Sequence, residues 1–324
     1  MSAEYPNPQP TPEFMERCIP IIKAWEAGTL PFNEAAERFA ALRAEAAAAQ
    51  QPANQGQVEI MMGVMYGYRA NLDTAIDHFR AARRLFEQAG NPERMLLCDT
   101  NIAECYRDKG EITRARQMFS LALQTARQHG NRRVEIICII NEGQIQLKLG
   151  FPNIARPALE EALRRIDEAA DVRPQVIGLL CEAHRDLASI YLLQGEAALA
   201  WDAARNALLT AQESKEVLRI GFANRALGEV LTALDVPPDG GDGFSDDPDH
   251  YFQMAMNNFR EIKAEGEVAR TLSIHAESLA KRGQVMTGAK KMQQAVLLFT
   301  RLGMVAEAAR AAEIQMQMLK NAQG

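Results

Sequence analysis

Aromatic side chains are scarce, at 6% of 324 residues, and only two are tryptophan. A core with few rings must be filled by aliphatic side chains, and hydrophobic residues do make up 47% of the chain. Alanine and leucine dominate that fraction, and both favour helix. No long Val/Ile/Thr-rich alternating run is present, so nothing argues for strands. No run of about 18 uncharged apolar residues occurs, so no membrane span is expected. Residues 1–14 are acidic, carry Pro6, Pro8, Pro10 and Pro12, and lack a basic start followed by an apolar stretch. No signal peptide is expected there. Excess positive charge is also missing: 36 basic residues face 42 acidic ones, net −6. That balance argues against a nucleic-acid partner, whose binders carry a basic patch or stripe.

Recognisable chemistry is missing too. No Ser/His/Asp constellation, phosphate loop or paired acid motif appears, so no enzyme and no cofactor are expected. The five cysteines, Cys18, Cys98, Cys105, Cys138 and Cys181, form no CxxC pair. They read as small buried hydrophobes, and their usage suits a reducing compartment; a cytoplasmic location is the expectation. Cys181 and His184 lie one turn apart but lack a second pair of ligands, so no zinc site is expected. Asp239, Asp242, Asp246, Asp247 and Asp249 do not follow the spacing of a calcium loop. Met61, Met62 and Met65 read as core filler.

What the chain does have is a passage written three times. Gly63, Tyr66, Ala75, Phe79 and Ala82 precede Gly90 and Asn91. Ala103, Tyr106, Ala115, Phe119 and Ala122 precede Gly130 and Asn131, an offset of 103 − 63 = 40 residues. Gly143, Gln146, Ala155, Leu159 and Ala162 follow in the same register. A fixed period in the range of roughly 20–50 residues marks a stacked repeat array. Such an array escapes the size limit of a single core because each unit packs only on its neighbours.

Residues 1–12 read as an extended proline-rich tail, and 13–324 as one continuous repeat domain. A divergent first pair of helices covers 13–27, with a kink expected at Pro20, and 32–49; residues 50–55 connect onward. Regular pairs follow at 57–69 with 73–89, 95–109 with 112–129, and 133–149 with 153–169, a mild bend being expected at Pro157. Ala75, Phe79 and Ala82 fall on one helical face. A fourth pair carries Ala188, Tyr191, Gly195, Ala200, Ala204 and Ala207. In the fifth, Gly228 lies on the first helix, and an acidic, Gly-rich insertion at about 235–247 delays the second. That insertion reads as solvated and removable over 236–246. The second helix then restarts with Asp247 as N-cap and Pro248 at its first position. Ala255, Phe259 and Ile262 are expected at its three face positions. A sixth pair and a capping helix at 304–321 complete an all-α solenoid of about seven pairs.

The steps of Ala103, Tyr106, Gly110, Ala115, Phe119 and Ala122 resemble the tetratricopeptide repeat. The unit here is longer than that family's usual ~34 residues, and Gly-Asn rather than proline closes it. It is similar to the long repeats of kinesin light chains, LGN-type spindle adaptors and sensor arms of bacterial transcription activators. The resemblance implies a right-handed superhelix whose first helices line a concave face, with a protein or peptide partner and no catalytic role. By that geometry Gln57, Ile60, Val64 and Tyr68 should face the groove, with Thr100, Asn101, Glu104, Arg107 and Asp108 after them. Ile140, Asn141, Gln144 and Lys148 come next, then Arg185, Ser189, Arg225, Glu229, Ser273, Glu277 and Lys281. Asn101 with Asn141, and Arg185 with Arg225, recur one period apart. The amides can hold an extended peptide backbone or merely satisfy helix groups. The arginines can fork onto carboxylates or phosphates, or pair with Glu182 or Glu229. The Lys/Asn/Arg clamp of chaperone-binding members is not reproduced, because Ile60 and Thr100 stand in its places. The expected function is a scaffold or adaptor; the alternative is a sensor arm acting on a separate effector. On the cap, Val305, Ala308, Ala309, Ala312, Met316 and Leu319 should face inward. Ile314 and Met318, left outside, would favour a weak two-fold self-association.

Overall fold

Helices follow one another because each junction stops one and starts the next. Gly90 and Gly130 take the left-handed conformation that ends a helix, which costs glycine nothing for want of a Cβ. The asparagine after each then caps the following helix: the side-chain oxygens of Asn91 and Asn131 accept from the backbone N–H of Arg94 (2.9 Å) and Val134 (3.1 Å). Pro52, Pro92 and Pro152 occupy first helical positions, where a missing N–H is harmless. The helices at Pro52, Pro92 and Pro152 therefore begin five, three and one residues earlier than the expected starts at 57, 95 and 153.

The computed structural model describes residues 9–69, 71–234 and 243–322. Most of the expected tail, residues 1–8, and most of the expected insertion, 235–242, lie outside them. Fifteen helices occur among the described residues, and no strand does. They are α1 (Pro12–Glu26), α2 (Phe32–Ala48), α3 (Pro52–Tyr68), α4 (Leu72–Ala89), α5 (Pro92–Asp108), α6 (Ile112–His129), α7 (Arg132–Lys148) and α8 (Pro152–Asp167). The rest are α9 (Arg173–Leu193), α10 (Ala197–Ser214), α11 (Val217–Ala233), α12 (Pro248–Glu261), α13 (Glu265–Lys281), α14 (Val285–Arg301) and α15 (Val305–Asn321). Pro20 and Pro157 sit on exposed sides of α1 and α8 without ending them. The chain divides into two compact units, residues 1–176 and 177–324.

In the first unit the repeated residues form the core. Ala75, Phe79 and Ala82 on α4, and Ala115, Phe119 and Ala122 on α6, are buried. Small residues on the first helix of each pair make room for them. A Cβ built on Gly63 would lie 2.6 Å from the Phe79 ring, and one on Gly143 would lie 2.8 Å from Leu159. These glycines set how closely α3 meets α4 and α7 meets α8. All five cysteines are buried and free. Burial pushes the thiols of Cys98, Cys105 and Cys138 up to about 12, away from reactivity.

The second unit corrects the register expected for α12. There Gly228 faces Phe252, and Gly221 faces Phe259. In the first unit Gly63 faces Phe79 and Gly56 faces Phe86. Phe252 is thus the counterpart of Phe79, and Phe259 that of Phe86. The face runs through Tyr251, Phe252, Ala255, Met256 and Phe259, with Ile262 at the C-cap and only half-buried. The described end of the insertion is anchored. The Phe244 ring packs edge-on to Trp201 at 6.2 Å and under the Arg205 guanidinium at 4.6 Å, and the Ser245 N–H donates to the Tyr251 hydroxyl at 2.8 Å. A deletion reaching residue 246 would remove all three contacts.

The capping helix is rotated relative to expectation. Met318 is 7% exposed and Ile314 packs against the same core, while Val305 is 77% and Met316 58% exposed. The two residues expected to be free for self-association are the ones that close the array.

Candidate partner-binding site

First helices meet one another across the repeat, α5 with α7 and α11 with α13. Their facing side chains decide what each unit can offer a partner.

In the first unit five of the expected site residues join in one network. The Arg107 guanidinium on α5 donates to the side-chain oxygens of Asn141 and Gln144 on α7. The Asn141 amide donates to Glu104 Oε1 at 3.1 Å and to the Ile137 carbonyl at 2.9 Å. Lys148 Nζ donates to the Arg107 carbonyl at 3.0 Å. Asn101 stands outside this network, half-buried. The expected Asn101–Asn141 ladder therefore needs correction. Asn141 is fully buried between two helices, and its amide serves their contact. Gln57, Ile60, Thr100 and Ile140 are likewise buried. Tyr68 is 39% exposed, edge-on to Trp25 at 5.5 Å.

In the second unit Arg185 and Arg225 come together around a ring that the sequence reading passed over. Phe222 lies 5.7 Å from the Arg185 guanidinium and 5.0 Å from that of Arg225, within reach of cation–π attraction. Arg185 donates to Asp186 (3.1 Å) and Arg225 to Glu267 (2.8 Å), while Glu229 stands 3.9 Å from Arg225. Burial works against the charge on Arg185, but Asp186 and Glu182 outweigh it and its pKa rises. Burial raises the Glu229 carboxyl pKa despite the opposing charges of Arg225 and Arg185. Glu229 nevertheless keeps 45% of its side chain accessible.

Arg219 was also missed. It donates to Glu182 Oε1 at 2.5 Å, to Glu216 Oε2 at 2.6 Å and to the Gly178 carbonyl at 3.2 Å. A signal for it existed. Glu182 and Arg219 are 37 residues apart, as are Glu104 with Asn141, Arg107 with Gln144, and Gln57 with Arg94. These four pairs are one turn short of the 40-residue period, whereas Lys148 with the Arg107 carbonyl and Arg225 with Glu267 are 41 and 42 residues apart. Equivalent positions such as 101 and 141 are not the ones that touch.

No group of three or more His, Cys, Asp or Glu that could hold a metal occurs among the described residues. No helix among them is long and apolar enough to cross a membrane.

No protein-family profile matches the sequence, and no curated protein matches it. Solved structures do. A Rap protein complexed with competence and sporulation factor matches at 14% identity over 95% of this chain and 85% of its own, with a TM-score of 0.60. Aspartyl phosphate phosphatase F from Bacillus subtilis matches at 13% identity over 88% and 70%, with a TM-score of 0.60. The apo quorum sensor NprR from B. thuringiensis matches at 14% identity over 95% and 86%, with a TM-score of 0.54. The likeness is one of fold: the chain has the tetratricopeptide-type fold of stacked helix pairs.

Proposed function

We propose that this chain is a non-enzymatic cytoplasmic adaptor that holds a segment of a partner protein or a peptide on its first-helix faces. The observation that carries this reading is the second unit's Arg185–Phe222–Arg225 cluster with Glu229 beside it. Glu229 keeps 45% and Arg185 31% of the side chain accessible, against 17% for Arg225, and burial works against the charge of both Glu229 and Arg185. A partner bearing an acidic or planar group gains more from charges held this way than from fully hydrated ones. The reduced, buried cysteines fit a cytoplasmic setting. The polar network of Glu104, Arg107, Asn141, Gln144 and Lys148 holds α5 against α7 and keeps the first unit's face in shape.

A phage-displayed peptide library selected on the wild-type protein tests this. Selected peptides should lose about ten-fold or more in affinity, by fluorescence polarisation, for the Arg185→Gln/Arg225→Gln variant, the effect of losing charge-assisted bonds. Failure to enrich any peptide, or full affinity in that variant, overturns the assignment. The likeness to a protein named as an aspartyl phosphate phosphatase adds one check: turnover of acetyl phosphate above background would overturn the non-enzymatic part.

A second reading, a sensor arm that changes state on binding and acts on a separate effector, is favoured by the likeness to NprR, named as a quorum sensor. It requires that a selected peptide alter hydrogen exchange far from its contact residues.

A further inference from the structure

We infer that a small pocket between the N-terminal turns of α5 and α7 takes a carboxylate of the bound segment through Arg94 and Arg133, an inference that rests on the binding reading above. The pocket holds about 130 Å³ and is lined by Gln9, Glu93, Arg94, Asn131, Arg133 and Gln175, among others. The volume equals about four water molecules at ~30 Å³ each. That suits the tip of an acidic side chain and is too small for a nucleotide.

Its two guanidinium groups lack the carboxylate partners that Arg165 and Arg219 have. Arg94 donates to an amide oxygen, Gln57 Oε1, at 2.9 Å, and its guanidinium lies 5.9 Å from the Phe86 ring. Arg133 Nε is buried without a hydrogen-bond partner. Neither arginine has a carboxylate partner among the described residues, and the exposed Glu93 acts on them only through space. Burial lowers the pKa of both, and the charge of Arg94 lowers that of Arg133 further. Two like charges held together and partly desolvated are unfavourable unless an anion joins them. A carboxylate can accept from both forks at once.

A neighbouring site shows the contrast. A larger depression of about 430 Å³ is lined by Glu135, Glu161 and Arg165 among others. There Arg165 already donates to Glu135 and to Glu161, both at 2.6 Å, so the charge is answered internally. The small pocket also differs from the clamp of chaperone-binding relatives, whose places are taken by the buried Ile60 and Thr100. At the α5 and α7 N-termini the Arg94 and Val134 N–H groups are already engaged by Asn91 and Asn131, and the inference assigns the anion to the two guanidinium forks.

The test is a titration followed through arginine Nε–Hε signals by NMR, with glutarate as the probe and glutaramide as its neutral match. Glutarate should shift the Arg94 and Arg133 signals saturably, and glutaramide should not. Arg94→Gln should weaken glutarate about ten-fold or more. Arg133→Lys, which keeps the charge but loses the fork, should weaken it in the same direction; circular dichroism confirms that both variants fold. An equal response to glutaramide, or no response to glutarate, overturns the inference. Tighter binding of inorganic phosphate than of glutarate also overturns it, assigning the pocket to phosphate. Loss of the glutarate response while selected peptides still bind defeats this inference alone. A glutarate response with no selected peptide defeats the adaptor reading and leaves the anion pocket standing.

Discussion

The two units solve the same packing problem with the same parts in different spacing. Each buries two phenylalanines of a second helix against two glycines of a first helix. In the first unit Gly56 and Gly63 receive Phe86 and Phe79; in the second Gly221 and Gly228 receive Phe259 and Phe252. The glycines keep their separation of seven residues, and so do the phenylalanines. Only the connection between the helices has grown. An insertion can therefore enter a repeat without disturbing its core, provided both rings return to their glycines. The polar faces differ more. The first unit ties α5 to α7 through the amides of Asn141 and Gln144, whereas the second ties its first helices through the ion pairs Arg219–Glu182 and Arg225–Glu267 and leaves Glu229 partly open beside them.

The largest effect that tests this equivalence is loss of the rings. Phe79→Ala and Phe252→Ala should each cost about 3–5 kcal/mol in chemical denaturation, the usual cost of emptying a buried aromatic site. Ile262→Ala should cost less than about 1 kcal/mol, since its side chain is half-buried at a helix end. If Ile262 proved as costly as Phe252, the register read from the sequence would stand and the structural one would fall.

A smaller effect sharpens the role of the glycines. Gly63→Ala should cost about 1–3 kcal/mol by overpacking the Phe79 ring. The second repeat has Ala103 at the equivalent place beside Phe119, so its helices are already spaced for a Cβ. Ala103→Gly should accordingly lose only about 1 kcal/mol, mostly helix propensity. Equal and negligible costs at both positions would remove the steric account.

Acid should separate the units. Burial lowers the His275 pKa, with Lys291 adding to the effect and Asp249 opposing it. Asp249 Oδ1 lies 2.7 Å from His275 Nε2. With the folded pKa below the unfolded value of about 6.5, the stability from neutral His275 is full above that pH and is lost as pH falls through the folded value. The first unit's buried acid behaves differently. Burial would raise the Glu59 pKa, but hydrogen bonds from His78 and Arg43 outweigh it and lower the value. Its contribution is therefore held above about pH 4.3 and lost only below. Hydrogen exchange compared between about pH 7 and pH 5, corrected for intrinsic rate, should show α12–α14 loosening while α3 and α4 hold. His275→Gln should abolish the difference. Uniform loosening would refute the assignment to His275.

The smallest effect concerns the cap. Met316→Glu on the exposed side of α15 should change stability by no more than about 0.5 kcal/mol. Met318→Glu should destabilise clearly, because it places a charge in the core. Light scattering should show no change of mass for Met316→Glu; a change would return self-association to this helix by its other face.

Helix identity, pairing and the inward faces of α4, α6 and α8 were legible because Ala, Phe and Leu recur at helical spacing and at a fixed period. Candidate residues were legible in part. Glu104, Arg107, Gln144 and Lys148 do gather, and Arg185 does stand near Arg225. Phe222 and Arg219 are not legible from repeat-equivalent positions, because they meet Arg185 and Glu182 at a separation of 37 residues rather than 40. On α15 Ala308 does pack against the core, but Val305, Met316 and Leu319 are exposed: a helix rich in alanine and methionine has apolar residues on several sides, and composition does not choose among them.

By itself the sequence determined that this chain is a stack of helix pairs, where each helix stops, and which residues of the regular repeats face inward. Those outcomes follow from local chemistry: the left-handed glycines, the capping asparagines and a 3.6-residue period. Tertiary structure alone decided which phenylalanine of α12 meets Gly228, and which residue of one first helix touches the next. A slip of seven residues turns a helix by only about 20°, so Phe252 and Phe259 present the same face and no periodicity tells them apart. The glycine across the interface does, because it is the place where a ring fits and a Cβ would not.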